Sequence, residues 1–180
     1  TVEDALLKAR DLLNLLPSNN LASAALYEAD AAAMPACEDI AGVVDAVADA
    51  GTALRLYEGS SCETVLARVG GAACGLVTLA GDKIGCCAAA RLARFVRLCD
   101  AFSLPLITFV DAAGFECLQG AAKLSHAYAE ATTAKLTVVT GRAYGPVYIA
   151  AAGKSAGADV VLAWPSAVIS PLSISFCMIL

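Results

Sequence analysis

The chain has 180 residues, the length of one ordinary domain, and is 59% hydrophobic with only 16% charged side chains. That composition excludes a disordered chain, which is poor in apolar residues and rich in charge. A formal net charge of -5, with no block of Lys and Arg, argues against nucleic acid or an anionic membrane surface as the main partner.

Residues 2–16 have helical spacing. Leu6, Leu7, Leu12, Leu13 and Leu16 can share one broad face, and Pro17 stops the run before the turn cluster Ser18, Asn19 and Asn20. Glu3, Asp4, Lys8 and Arg10 make this a helix start rather than a signal peptide. Residues 22–37 are Ala-rich, weakly patterned and read as a linker. Residues 40–50 read as a short helix with Gly51 as its C-cap. Strands are expected at 53–57 and 64–69, then a Gly70-Gly71 hairpin turn and a returning strand at 73–79. Residues 86–102 read as a helix with Leu92, Phe95, Val96 and Cys99 inward. Arg91, Arg94 and Arg97 lie along a solvated or interface side of it.

A repeat of strand, loop and helix follows. Strands are expected at 106–110, 136–140 and 160–163, and helices at 119–132 and 147–152. The loops Asp111 to Gly114 and Gly141 to Pro146 sit at strand-to-helix junctions. Short apolar strands separated by helices mean a mostly parallel sheet covered on both faces, an α/β domain. The uncharged run 160–180 is long enough to span a bilayer, but Pro165 and Pro171 break the helix that spanning needs. It reads instead as a buried strand, a turn and a second apolar piece. Much of the apolar content is small: 40 residues are alanine, which packs closely without making a chain lipid-soluble.

Ordinary catalytic sets are missing. Eight cysteines contain no C-x-x-C pair, and the chain has one histidine, so no zinc or other metal site is expected. The thiols read as reduced, buried and cytosolic. His126 lies mid-helix among Leu124, Tyr128 and Ala129 and reads as a helix-face residue. No phosphate loop and no G-x-G-x-x-G after a strand are present. What remains is backbone chemistry at the two glycine-bearing junctions. A helix start exposes N–H groups and a partial positive charge, and two such groups can hold the oxygen of an enolate. Glycine there lets a substrate approach the backbone.

Several runs carry a family resemblance. They are Arg91-Leu-Ala-Arg-Phe-Val-Arg-Leu-Cys-Asp-Ala-Phe-Ser-Leu-Pro-Leu-Ile-Thr-Phe-Val-Asp111, Gly114-Phe115, Ala122-Lys-Leu-Ser-His-Ala-Tyr-Ala-Glu-Ala-Thr-Thr133, Lys135-Leu-Thr-Val-Val-Thr140, Arg142-Ala-Tyr-Gly-Pro-Val-Tyr148 and Gly157-Ala-Asp-Val-Val-Leu-Ala-Trp-Pro165. In this order they resemble the carboxyltransferase subunits of biotin-dependent acyl-CoA carboxylases and decarboxylases, of the propionyl-CoA carboxylase beta and methylmalonyl-CoA decarboxylase alpha type. Leu15-Leu-Pro-Ser-Asn-Asn20 resembles the segment joining the two halves of such subunits.

The resemblance implies a ClpP/crotonase-like fold. Residues 1–38 would be the end of a preceding domain and a linker, and 39–180 the C-terminal carboxyltransferase domain. It implies an enzyme that moves a carboxyl group between carboxybiotin, on a biotin carboxyl carrier domain, and an acyl-CoA; the reading of the thiols makes the expected setting cytoplasmic. Backbone N–H groups would hold the enolate and biotin anions. Its expected partners are the carrier, an N-terminal carboxyltransferase half that binds the acyl-CoA, and further copies of itself, from dimer to hexamer. By position, Tyr144, Gly145, Pro146 and Val147 match the family's Tyr-Gly-Gly-Ala, whose second Gly and Ala form the oxyanion hole for biotin. The catalytic expectation therefore falls on Gly145, Pro146 and Val147. Asp111, Gly114, Phe115 and Tyr144 are the expected cofactor-binding residues. Ile149 matches a position tied to acyl-group specificity.

The sequence departs from the family at Pro146, which has no N–H, and in the shortened stretch Glu116-Cys-Leu-Gln-Gly120. It departs also in Gly85-Cys-Cys-Ala-Ala-Ala90 and the tail 173–180. Two alternatives stay open. One is a crotonase-like hydratase or hydrolase of CoA thioesters, which would need a side-chain acid or base such as Glu116 or Glu130. The other is a non-catalytic assembly domain.

Overall fold

The computed structural model describes residues 1–29 and 39–172. Helix α1, Val2–Leu15, opens on a capping box in which Thr1 and Asp4 satisfy each other's backbone N–H. The expected broad leucine face is split. Leu15 is buried and Leu12 and Leu16 are half-buried against the core, but Leu6 and Leu13 are 66% and 72% exposed. The run 40–50 is also broken, into a 3-10 turn, Ile40–Gly42, and a short α2, Val43–Val47. Its end is set by Asp49, whose side chain accepts from the N–H groups of Gly70 and Gly71 at 3.0 and 2.7 Å. Gly51, at φ 71, lies beyond the helix and does not cap it.

Strands β1, Leu54–Glu58, β2, Cys62–Val69, and β3, Ala72–Gly81, form an antiparallel meander. Gly70 and Gly71, at φ 59 and 80, make the tight turn between β2 and β3, where left-handed backbone matches the strand twist. The Tyr27 N–H donates to the Gly71 carbonyl, and the Arg68 guanidinium stacks 3.8 Å from the Tyr27 ring. The start of the expected linker is thus held on this hairpin; its stretch 30–38 lies outside the described residues.

The sheet then turns parallel. Strands β4, Leu106–Ala112, β5, Lys135–Tyr144, and β6, Val160–Ala163, complete the order β1-β2-β3-β4-β5-β6. A short β7, Val168–Ser170, also pairs with β5. Strand β6 is not the buried strand expected: Val160 and Leu162 are about half exposed at the sheet's edge. Helix α3, Cys86–Ala101, buries Leu92, Phe95, Val96 and Cys99 as expected. Helix α4, Leu118–Glu130, packs beside it, and its Tyr128 hydroxyl bonds that of Thr108 on β4 at 2.7 Å. It ends two residues earlier than expected because Asp100 takes the N–H groups of Thr132 and Thr133 at 2.6 and 3.1 Å. The main core lies between α3, α4 and the sheet; a smaller one packs Val43 and Val44 against Val65, Leu76 and Phe109 on the other face.

Not every thiol is free. Cys86, at the start of α3, and Cys117, the N-cap of α4, form a disulfide across Cα atoms 6.1 Å apart. Packing of the two helix starts brings together cysteines 31 positions apart in the chain. Cys62, Cys74 and Cys99 are buried and Cys87 is exposed.

Two expectations follow. Replacing the fully buried Leu92 by Ala should cost about 2–5 kcal/mol, whereas Leu13→Ala should stay within about 0.5 kcal/mol; urea unfolding midpoints measure both. Burial pushes the Cys62 and Cys74 thiols up to about 11 and Cys99 higher still. At pH 8 those three stay protonated and shielded, so among the described cysteines iodoacetamide should label Cys87 first. Cys86 and Cys117 should react only after reduction, and the buried three only on unfolding, as read by peptide mass mapping.

Candidate active site at the end of β5

In a parallel sheet, ligands meet the carboxyl ends of the strands, where loops and helix starts converge. Here β3, β4 and β5 end together. Beyond β3 and β4 the chain keeps pairing: the Ile84 N–H donates to the Gly114 carbonyl at 2.9 Å and the Glu116 N–H to the Ile84 carbonyl at 3.0 Å. Gly114 and Phe115 therefore form an extension of the sheet. The Phe115 ring is half-buried against the main core, so it anchors the loop after β4.

The expected loop 141–146 is mostly strand. Strand β5 runs on to Tyr144 because β7 pairs with Arg142–Tyr144 on one side and Asp111 serves the backbone on the other. Asp111 accepts from the Arg142 N–H at 2.8 Å and from Arg142 Nε at 3.1 Å, and Arg142 Nη1 reaches Asp82 at 2.7 Å. Asp82 first and Asp111 second hold the guanidinium charged more firmly than in an ordinary arginine.

Tyr144 is buried. Gly145 turns the chain at φ 48, and its N–H is spent on the Ser170 carbonyl at 3.0 Å. Gly145 thus enters as the turn and not as a donor. A helical stretch follows, with Pro146 at its first position, where a missing N–H is harmless to the helix. It widens into a π-helical turn, Tyr148–Ala152. The Ile149 N–H bonds back to the Gly145 carbonyl at 3.2 Å, so the N–H groups of Val147 and Tyr148 precede the first bond of the turn. Val147 buries its side chain completely, while Ile149 is 56% exposed.

The structure therefore brings Asp111, Tyr144, Gly145, Pro146 and Val147 to one end of the sheet. The side-chain acids and bases lie differently. Glu130 and His126 meet at 3.2 Å on the exposed side of α4, with Arg97 3.9 Å from Glu130, and Glu116 is exposed beside Gly85. Sequence reasoning missed the Asp82–Arg142–Asp111 linkage and the disulfide. Their partners are far apart in the chain, and no spacing announces them.

Residues 2–174 match the family model described as the carboxyl transferase domain. The methylmalonyl-CoA decarboxylase subunit alpha of Propionigenium modestum is 34% identical over 191 residues, which covers 89% of this chain and 37% of that protein. The methylmalonyl-CoA carboxyltransferase 12S subunit of Propionibacterium freudenreichii subsp. shermanii is 34% identical over 190 residues, covering 90% and 36%. These alignments are longer than the 180 residues of the chain, so the relatives carry residues within this span that it lacks. A crystal structure of transcarboxylase 12S, a hexamer with hydrolysed methylmalonyl-coenzyme A bound, superposes with a TM-score of 0.83 at 30% identity, over 97% of this chain and 40% of that one. The chain thus spans little more than a third of the length of these curated relatives. Its mostly parallel sheet with flanking helices is the crotonase-like fold of these carboxyltransferases, and the chain belongs to the carboxyl transferase domain family.

Proposed function

We propose that this chain is the carboxybiotin-facing part of a carboxyltransferase that moves a carboxyl group between biotin on a carrier domain and an acyl-CoA. The observation that carries the reading is the superposition, over 97% of the chain, on a transcarboxylase core with a hydrolysed acyl-CoA bound. In this reading residues 1–38 end a preceding domain and link it to the carboxyltransferase domain at 39–180. The partners are a biotin carboxyl carrier, an N-terminal half that holds the acyl-CoA, and further copies of the chain. The setting is the cytoplasm, where acyl-CoA thioesters and carboxylated carriers meet.

Carboxybiotin, when docked, supplies the carboxyl group and, once that has left, the base for the acyl-CoA α-carbon. The chain's own part is positional. Gly145 presents no side chain, so a planar ring can come close to the backbone there. The N–H of Val147, joined by that of Tyr148, can face an anionic oxygen at the start of the helical turn. The donor set fits biotin's ureido oxygen, which asks for N–H donors and no metal. The buried Tyr144 and Val147 side chains fix this backbone from beneath. No side-chain base is required of the chain, which agrees with Glu130 and His126 being engaged with each other on the face of α4.

Two measurements test this. The chain, complemented with the acyl-CoA-binding half of a relative, should pass labelled carboxyl from a carboxylated biotinyl carrier to propionyl-CoA, and should not do so alone. Label that stays on the carrier, or turnover of enoyl-CoA without biotin, would overturn the reading. The second concerns Pro146. One absent donor corresponds to about 3 kcal/mol, or roughly a hundredfold in rate. Pro146→Gly should therefore raise the transfer rate or leave it unchanged if Tyr148 compensates. A fall of about tenfold or more, with circular dichroism intact, would mean that the proline ring itself shapes the pocket.

A further inference from the structure

Strand β5 leaves its ladder with β4 just before the turn at Gly145. Val110 pairs with Val139 and Ala112 with Ala143, so Thr140, Gly141 and Arg142 together face Asp111 alone. Such a bulge strips backbone groups of their ladder partners and bends the strand. Side chains take over here. Asp111 Oδ1 accepts from the Arg142 N–H, and the Thr140 hydroxyl donates to the Val110 carbonyl at 3.2 Å. Gly141 leaves the carboxylate its place: a Cβ there would sit 2.5 Å from the Asp111 carboxylate and displace it. On its other side β5 changes partner at the same place, from β6 along Leu136–Val139 to β7 along Arg142–Tyr144. The guanidinium of Arg142 then ties Asp111 on β4 to Asp82 beyond β3.

From this geometry we infer that Asp111 is a positioning residue: its carboxylate, held by Arg142 and through it by Asp82, sets where the turn 145–148 presents its N–H groups, and it does not itself contact biotin. The inference rests on the proposed carboxyl transfer for its kinetic consequence, but not for its structural one. Asp82 is 86% exposed, so its ion pair with Arg142 adds little alone. The bond from the Arg142 N–H to the Asp111 carboxylate is the central contact, because it fills a vacancy in the backbone ladder.

The test compares Asp111→Ala, which removes the acceptor, with Asp111→Asn, which keeps an oxygen in its place. Hydrogen exchange on the 180-residue chain should show residues 141–148 exchanging at least about tenfold faster in D111A, with β2 and β3 unchanged. In D111N the rise should stay under about threefold. In the complemented transfer assay D111A should lower kcat by about tenfold or more at an unchanged KM for the acyl-CoA, and D111N should recover most of the loss. D111N as impaired as D111A, or exchange at 141–148 unmoved in D111A, would overturn the inference. Should D111A fail to fold, Arg142→Gln decides instead: it keeps the backbone bond but removes the guanidinium's bonds to both Asp111 and Asp82, so the carboxylate is no longer held in place, and an exchange rise of about threefold is expected, with no rise counting against the inference. A wild-type chain that transfers no carboxyl group would overturn the proposed function alone, since the exchange measurement still decides the positioning.

Discussion

Helix α3 approaches the sheet, and α4 approaches α3, too closely for ordinary side chains at the points of contact, and much of the fold follows from that. On β3, a Cβ at Gly75 would lie 2.5 Å from the Cys99 sulfur and 3.0 Å from Leu106. Between the helices, a Cβ at Gly120 would come within 3.1 Å of the Ala89 methyl. With small residues at the contacts, the larger Leu92, Phe95, Leu124 and Tyr128 can fill the remaining space at the density of a protein interior. The buried alanines of the two helices, Ala88, Ala89 and Ala93 on α3 and Ala121 and Ala127 on α4, serve this packing.

This close approach also decides where the polar groups go. It brings the starts of α3 and α4 together, so that Cys86 meets Cys117 and Gly85 faces Glu116. The segments after β3 and β4 are then forced alongside one another, and they pair as a continuation of the sheet. Strand β5 alone ends differently, because its outer neighbour changes from β6 to β7. An unsatisfied, partly buried backbone group costs about 1–3 kcal/mol. The carboxylate of Asp111 removes one such cost at the position from which the turn at Gly145 departs. Packing, bulge and turn are therefore one mechanical series.

Much of this was legible in the sequence wherever the signal was local. The β2–β3 hairpin announces itself through Gly70-Gly71, α3 through the spacing of Leu92, Phe95, Val96 and Cys99, and the parallel strands through their short apolar runs. The alternation of strand, loop and helix placed Tyr144 to Val147 at a strand-to-helix junction, as the structure has it. The misreadings share another cause, contacts distant in sequence. Asp49 cuts a helix short to serve the turn at Gly70, and Asp100 does the same to α4 through Thr132. Residues 141–144 look like a glycine loop and become strand because Asp111 and β7 supply the missing partners. Strand β6 is apolar by composition yet forms an edge, since hydropathy cannot say whether a neighbour covers it.

The proposed placing of the chemistry on backbone N–H groups has a consequence for how such a site tolerates sequence change. Most side chains at a backbone donor leave its N–H in place, so the site constrains shape more than identity. Proline is the exception, because it removes the N–H itself. Here the proline falls where the helix has no use for that donor, and the fold gives no sign of it. Gly145 cannot replace it, as its N–H is held by Ser170. The N–H groups that remain ahead of the first helical bond are those of Val147 and Tyr148, one residue further along the turn than the pair in the family pattern. In the proposed site the hold on an anionic oxygen depends on where the turn sits, and we assign that to the bulge at Asp111 and not to the character of any side chain facing the ligand.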